Sequence, residues 1–177
     1  NELVMIDHLY TKEKDPERKI YYLEQFMTYA NYLYSNTMTA AMEQAIYDKV
    51  GGSDNTSADD IDAIAKSVGS RFSIWFDKQD ELKMRWMDVH HLYDAPMYYP
   101  NYVYAQLLAL KYYELYKKDP KTFVPKYLDL MRNGFNAPPS DLLKKFLNID
   151  LRDPQLAPNA VGILDDKLDE LEVLYKK

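Results

Sequence analysis

The chain has no cysteine, which excludes disulfides and thiolate metal sites and is compatible with a reducing compartment. Only 5 glycines occur in 177 residues, and no run alternates apolar and polar residues between turn signals. Strands are therefore not expected beyond a minor element. No apolar run approaches the ~18–20 residues needed to span a bilayer, so a membrane is not an expected partner. Basic charge is in deficit, with 22 Lys and Arg against 28 Asp and Glu, a net charge of −6 and a pI near 5.1. That balance offers no electrostatic footprint for a phosphate backbone, so nucleic acid is not an expected partner either. Histidine is also scarce. His8, His90 and His91 contain no pair spaced four apart, the spacing that lets a zinc-peptidase helix turn two imidazoles to one side. Adjacent His90 and His91 diverge on a helix and on a strand, and no Glu-x-x-His carboxylate site is present. No metal ligands are expected in this chain.

What is abundant is tyrosine, 17 residues, set in patterns of helical period. An apolar stretch from Asn1 to about Tyr10 opens without a cap, which reads as a cut through a helix and hence as a piece of a larger protein. Asp15 and Pro16 supply an N-cap and a first-position proline for a long helix ending near Val50, at Gly51 and Gly52. Its apolar positions step through Ile20, Leu23, Met27, Ala30, Tyr34, Met38, Ala41 and Ala45. A polar loop, Gly51 to Thr56, leads to Ser57 and Asp60, which resemble a capping box opening a helix through Val68 that Gly69 closes. Phe72 to Met87 suit one or two further helical segments, with Trp75 and Trp86 as core anchors.

Pro96 and Pro100 are expected to keep Tyr98 to Asn101 out of regular helix, which resumes after Pro100 and runs to about Lys118. Asp119 and Pro120 start another helix that continues to Gly134, where a C-terminal glycine cap belongs. Pro125, inside it, predicts a kink or a later start. Pro138 to Ser140 introduce a short helix through Leu147, and Val161, Leu164, Leu168, Leu171 and Leu174 mark a last amphipathic helix. The length suits one core, so residues 1–177 are read as a single all-α, multi-helix domain.

The densest chemistry lies between Trp86 and Leu110, which holds both members of the only adjacent His pair and 5 of the 17 tyrosines. Two readings stay open on the residues alone. One is an aromatic core with satisfied hydroxyls; the other is an array of donors aimed at a substrate carbonyl.

The order His91, Pro96, Tyr98, Tyr99, Tyr102, followed by Ala105, Gln106 and a Leu-rich helix, resembles the C-terminal substrate-binding segment of the oligoendopeptidase F and thimet oligopeptidase family. Weaker likeness extends over nearly the whole chain. These are zinc metallopeptidases that cut short peptides within a channel, and the resemblance implies the helical C-terminal part of one. It implies catalytic, oxyanion-side roles for His91, Tyr102 and Tyr98. Tyr99, His90, Tyr93 and Gly134 are implied as substrate-binding positions. Several keep a simpler alternative: His90 reads first as a neighbour that tunes or packs, Tyr93 with Asp94 as capping a turn, and Gly134 as a helix cap. The family's zinc motif lies N-terminal to the region resembled, and Glu2 corresponds to a carboxylate beyond the third ligand. Zinc is thus implied for the full-length enzyme and none for this chain, which is expected to be inactive alone. The implied partners are short peptides and the missing N-terminal portion of the same peptidase, and the implied location is cytoplasmic. The competing class is a non-enzymatic helical domain that binds a peptide or protein.

Overall fold

The computed structural model describes residues 2–52 and 55–176. Among them the architecture is all-α, with no strand. The elements are α1 (Glu2–Lys12), α2 (Pro16–Gly51), α3 (Ala58–Gly69), α4 (Trp75–Lys78), a 3-10 segment (Asp80–Asp88), α5 (His91–Asp94), α6 (Tyr99–Lys118), α7 (Pro120–Asn133), α8 (Pro139–Leu147) and α9 (Leu156–Tyr175). The expected helix start at Asn1, and Ser53 and Asp54 of the expected loop, lie outside the described residues. No described helix is long and apolar enough to cross a membrane.

Local chemistry accounts for most helix starts. The Asp15 carboxylate accepts the Glu17 N–H at 3.1 Å ahead of α2, and Asp119 accepts the Thr122 N–H at 3.2 Å ahead of α7. Ser57 and Asp60 form the reciprocal capping box before α3. One expectation needs correction. Tyr99, Pro100 and Asn101 belong to α6, because a proline in the first turn lacks only an N–H that would have had no helical partner. α7 starts at Pro120, after its expected cap, and carries Pro125 inside it. α9 begins at Leu156, ahead of Val161, with Pro158 again in the first turn.

Two compact units result. One comprises the residues up to Ala30 with those from Leu107 onward, and the other comprises Asn31–Gln106; α2 and α6 each contribute to both. The first unit has a leucine core of Leu130, Leu142, Leu143, Leu147 and Ile149 where α7 and α8 meet. Its polar centre is Asp7, 6% exposed. Tyr113 donates its hydroxyl to Asp7 Oδ1 at 3.0 Å and Lys117 donates to Oδ2 at 2.7 Å. Lys167 Nζ lies 3.2 Å from Oδ1. Burial by itself would raise the Asp7 pKa, but bonds from Lys117 and Tyr113 and the charge of Lys167 outweigh it and hold the carboxyl below its ordinary 3.8. The same environment, burial first and the Asp7 charge second, pushes the Tyr113 hydroxyl far up.

The second unit packs Met42 and Ile46 of α2 against Ala65 and Val68 of α3. The buried positions of α2 in this unit are Leu33, Thr39, Met42, Glu43 and Ile46. The expected stripe is met in part: Ala41 and Ala45 pack against this core, whereas Tyr34 is exposed. Trp86 is half-buried against this core and donates its indole N–H to Asp62 at 2.7 Å. Trp75 is not a core anchor; it is 53% exposed. Gly69 is required by close approach, since a Cβ there would lie 2.3 Å from Phe76 Cδ1.

Gly69→Ala is expected to destabilise the protein by about 1–3 kcal/mol, because the buried Phe76 ring must leave its place, as read by denaturant unfolding. Asp7→Asn removes the carboxylate that Lys117 and the buried Lys167 share, leaving Lys167 with Glu170 alone, and is expected to cost about 3 kcal/mol. The Asp7 pKa is depressed in the folded state, so its contribution is complete above the ordinary 3.8 and is lost as pH falls through the lower folded value. Asp7→Asn therefore flattens the acid limb of a stability-versus-pH curve, and an unchanged limb would refute the assignment.

Candidate active site

The site is built on a short stretch of the second unit, α5, the turn Ala95–Tyr98 and the first turn of α6. His91 opens α5 and Tyr99 opens α6, with Tyr102 three residues on and so on the same helix face. Two residues of α2, four apart and hence also on one face, hold this stretch. Tyr47 donates its hydroxyl to the Leu92 carbonyl at 2.9 Å, and Glu43 accepts the Met97 N–H at 2.7 Å. Met97 has φ of 59°, the left-handed region, which costs a non-glycine residue roughly 1–2 kcal/mol. A net hydrogen bond contributes about 1 kcal/mol, more where the acceptor is charged, so the Glu43 contact is of the size needed to offset that strain.

The turn brings four rings together. The His91 imidazole stacks on Tyr98 with centroids 4.8 Å apart, and meets the edges of Tyr99 at 5.4 Å and Tyr102 at 5.8 Å. Tyr102 also contacts Tyr98 at 5.3 Å and Tyr99 at 5.5 Å. The Tyr102 hydroxyl and His91 Nε2 are 3.4 Å apart, a long contact whose donor depends on the imidazole tautomer. Burial, reinforced by Tyr102 and Glu43, raises the Tyr99 pKa above its ordinary 10.0, so this phenol stays a neutral donor at neutral pH. Tyr98 and Tyr102 remain exposed. The cluster is thus a partly wet set of phenol and imidazole donors held by mutual ring contacts, suited to meeting an oxygen that gains negative charge.

The other expected site residues stand apart from these rings. His90 is exposed and caps α5 through its carbonyl, which accepts the Tyr93 N–H at 2.9 Å. Tyr93 is 61% exposed and has no ring contact among the described residues. Gly134 lies in the first unit, at the end of α7, with φ 66° and ψ −153°, a conformation essentially confined to glycine. Beside the ring cluster, the second unit has a groove of about 490 Å³ lined by Tyr34, Phe72, Trp75 and Arg85. An adjoining recess of about 310 Å³ shares Met38, Phe76 and Arg85 with it and reaches Tyr99. Among the described residues no group of three or more His, Cys, Asp or Glu side chains could hold a metal ion. The residues present therefore do not fit a metal centre.

A family model described as Peptidase family M3 matches residues 1–158. The chain belongs to peptidase family M3. It is similar to oligopeptidase PepF of Bacillus subtilis (strain 168), 24% identical over 184 residues, covering 100% of this chain and 26% of that protein. The M3 chain thus spans about a quarter of the length of the curated relative it matches. No solved structure matches it.

Sequence reading of this M3 chain missed Glu43 and Met97. The available signal was an acidic residue between Met42 and Ile46 on a helix face that is otherwise apolar. Because Tyr102 is held through ring contacts rather than its hydroxyl, Tyr102→Phe is expected to change stability by less than about 1 kcal/mol. Denaturant unfolding checks this, and a larger loss would make the hydroxyl structural.

Proposed function

We propose that this chain is the substrate-binding, oxyanion-side portion of a zinc-dependent oligoendopeptidase of family M3 that hydrolyses short peptides. The observation that carries the reading is the convergence of His91, Tyr98, Tyr99 and Tyr102, with the His91 Nε2 and the Tyr102 hydroxyl 3.4 Å apart. Amide hydrolysis passes through a tetrahedral oxyanion, and fixed donors lower its energy most when they are held in place before the charge appears. His91 and Tyr102 supply those donors. Tyr98, stacked on the imidazole, restrains its tilt and is assigned as a third donor. Tyr99 lines the recess and, with the exposed His90 and Tyr93, is assigned to the substrate backbone. Gly134 is assigned to a substrate-facing turn, although its helix-capping geometry already accounts for it.

Family membership supports peptide as the substrate class, and the recess lined by Tyr99 offers such a chain a place beside the cluster. Zinc is assigned to an N-terminal portion of the same peptidase, where the family resemblance puts the zinc motif. A cytoplasmic location goes with this reading. The exposed Trp75 in the groove favours, as the competing reading, a helical module that binds peptides without cutting them.

Both readings meet in one experiment on the full-length protein. His91→Phe and Tyr102→Phe are each expected to lower turnover of a short peptide by about a hundredfold to a thousandfold, with folding and zinc content unchanged. Unchanged turnover would remove the catalytic reading and leave the binding module. The isolated chain supplied with zinc is expected to show no peptidase activity, and metal-dependent turnover by the pure chain would overturn the assignment of the metal to another segment.

A further inference from the structure

We propose that Glu43 is a positioning residue for the His91–Tyr102 cluster: its carboxyl group holds Met97 in the left-handed conformation that turns the chain from α5 into α6. In doing so it sets where His91 stands against Tyr98 and Tyr102. The catalytic consequence rests on the functional reading above, whereas the geometric claim does not.

Glu43 is 0% exposed. It lies beside Met42 and Ile46, where a leucine would satisfy packing, yet Oε2 has no hydrogen-bond partner and Glu43 enters no ion pair among the described residues. A buried acid with a single contact is an expensive way to fill space. What that one contact secures is the N–H of Met97, 54 residues away, at φ of 59°. Strain of this kind persists only where surrounding structure over-determines it. Here the determinants are identifiable. Pro96 restricts the backbone before it, Tyr47 fixes Leu92 one helical turn along α2, and Glu43 fixes Met97. The segment carrying α5 is thus held near both ends from one face of α2. Tyr98 follows Met97 directly and stacks on His91 at 4.8 Å, so a rotation at Met97 displaces that ring first.

The test compares Glu43→Leu, Glu43→Gln and Glu43→Leu combined with Met97→Gly in the full-length protein. The readouts are amide hydrogen exchange at Met97 and kcat and KM on a short internally quenched peptide. Glu43→Leu is expected to expose the Met97 amide to faster exchange and to lower kcat by on the order of a hundredfold with little change in KM, as displacement of positioned donors does. Glu43→Gln keeps an accepting oxygen and is expected to stay within about threefold of the parent. Adding Met97→Gly is expected to recover most of the Glu43→Leu loss, because glycine enters the left-handed region without the side-chain cost. A merely space-filling role would not be rescued by glycine at Met97. Unchanged Met97 exchange in Glu43→Leu, or no recovery in the double variant, overturns the proposal. Should Glu43→Leu fail to fold, a folded double variant supports the proposal and an unfolded one overturns it. A parent protein without peptidase activity would remove the functional reading, and Met97 exchange would then decide the Glu43 assignment alone.

Discussion

A carboxyl group taken out of water loses strong solvation and has to recover it from donors that the fold brings to it, or it destabilises whatever buries it. Each unit of this protein contains one such group. In the first, Asp7 is met by Tyr113, Lys117 and Lys167, which outweigh the effect of burial and tie α1 to α6 and α9. In the second, Glu43 meets one backbone N–H and leaves an oxygen without a partner. The first arrangement is a satisfied polar core. The second spends desolvation on a single loop residue, and that residue adjoins the ring cluster.

The geometry of the cluster follows from that investment together with the helix starts around it. Pro100 is accepted into the first turn of α6, which lets Tyr99 and Tyr102 share one face from the outset. The turn before it, with Met97 at positive φ, brings Tyr98 over the His91 imidazole. Four rings then restrain one another at centroid separations of 4.8 to 5.8 Å, and the long 3.4 Å contact between the Tyr102 hydroxyl and His91 Nε2 is the one hydrogen-bonding contact among them. This is the condition an oxyanion-stabilising site needs: donors fixed in advance and still available.

The cluster was legible because its members lie within twelve positions of one another and their order carries the family resemblance. Its support was not, because Glu43 and Met97 are 54 residues apart and the one local sign, an acidic residue between Met42 and Ile46, does not point to its partner. The same division runs through the fold. The caps at Asp15, Ser57 and Asp119 act over two or three residues, so the sequence shows them directly. Along α2 the expected stripe holds at Leu23, Ala41 and Ala45 and fails at Tyr34, because a long helix with many aromatic residues shows several apolar stripes and only its neighbours select among them. Trp75 is exposed for a related reason, standing on the four-residue α4 while Phe76 fills the space against Gly69.

By itself, then, the amino-acid sequence determined an all-α chain, the starts of α2, α3, α7 and α8, and the residues from which the ring cluster is made. These rest on helical period, capping and proline chemistry, which act within a turn or two of the backbone. Only the tertiary structure decided which face of α2 is buried, that Asp7 and Glu43 lie inside, and that His91 meets Tyr102 across a turn held from α2. Those outcomes depend on contacts between distant segments, where burial and hydrogen-bond satisfaction are settled jointly and no local pattern records the choice.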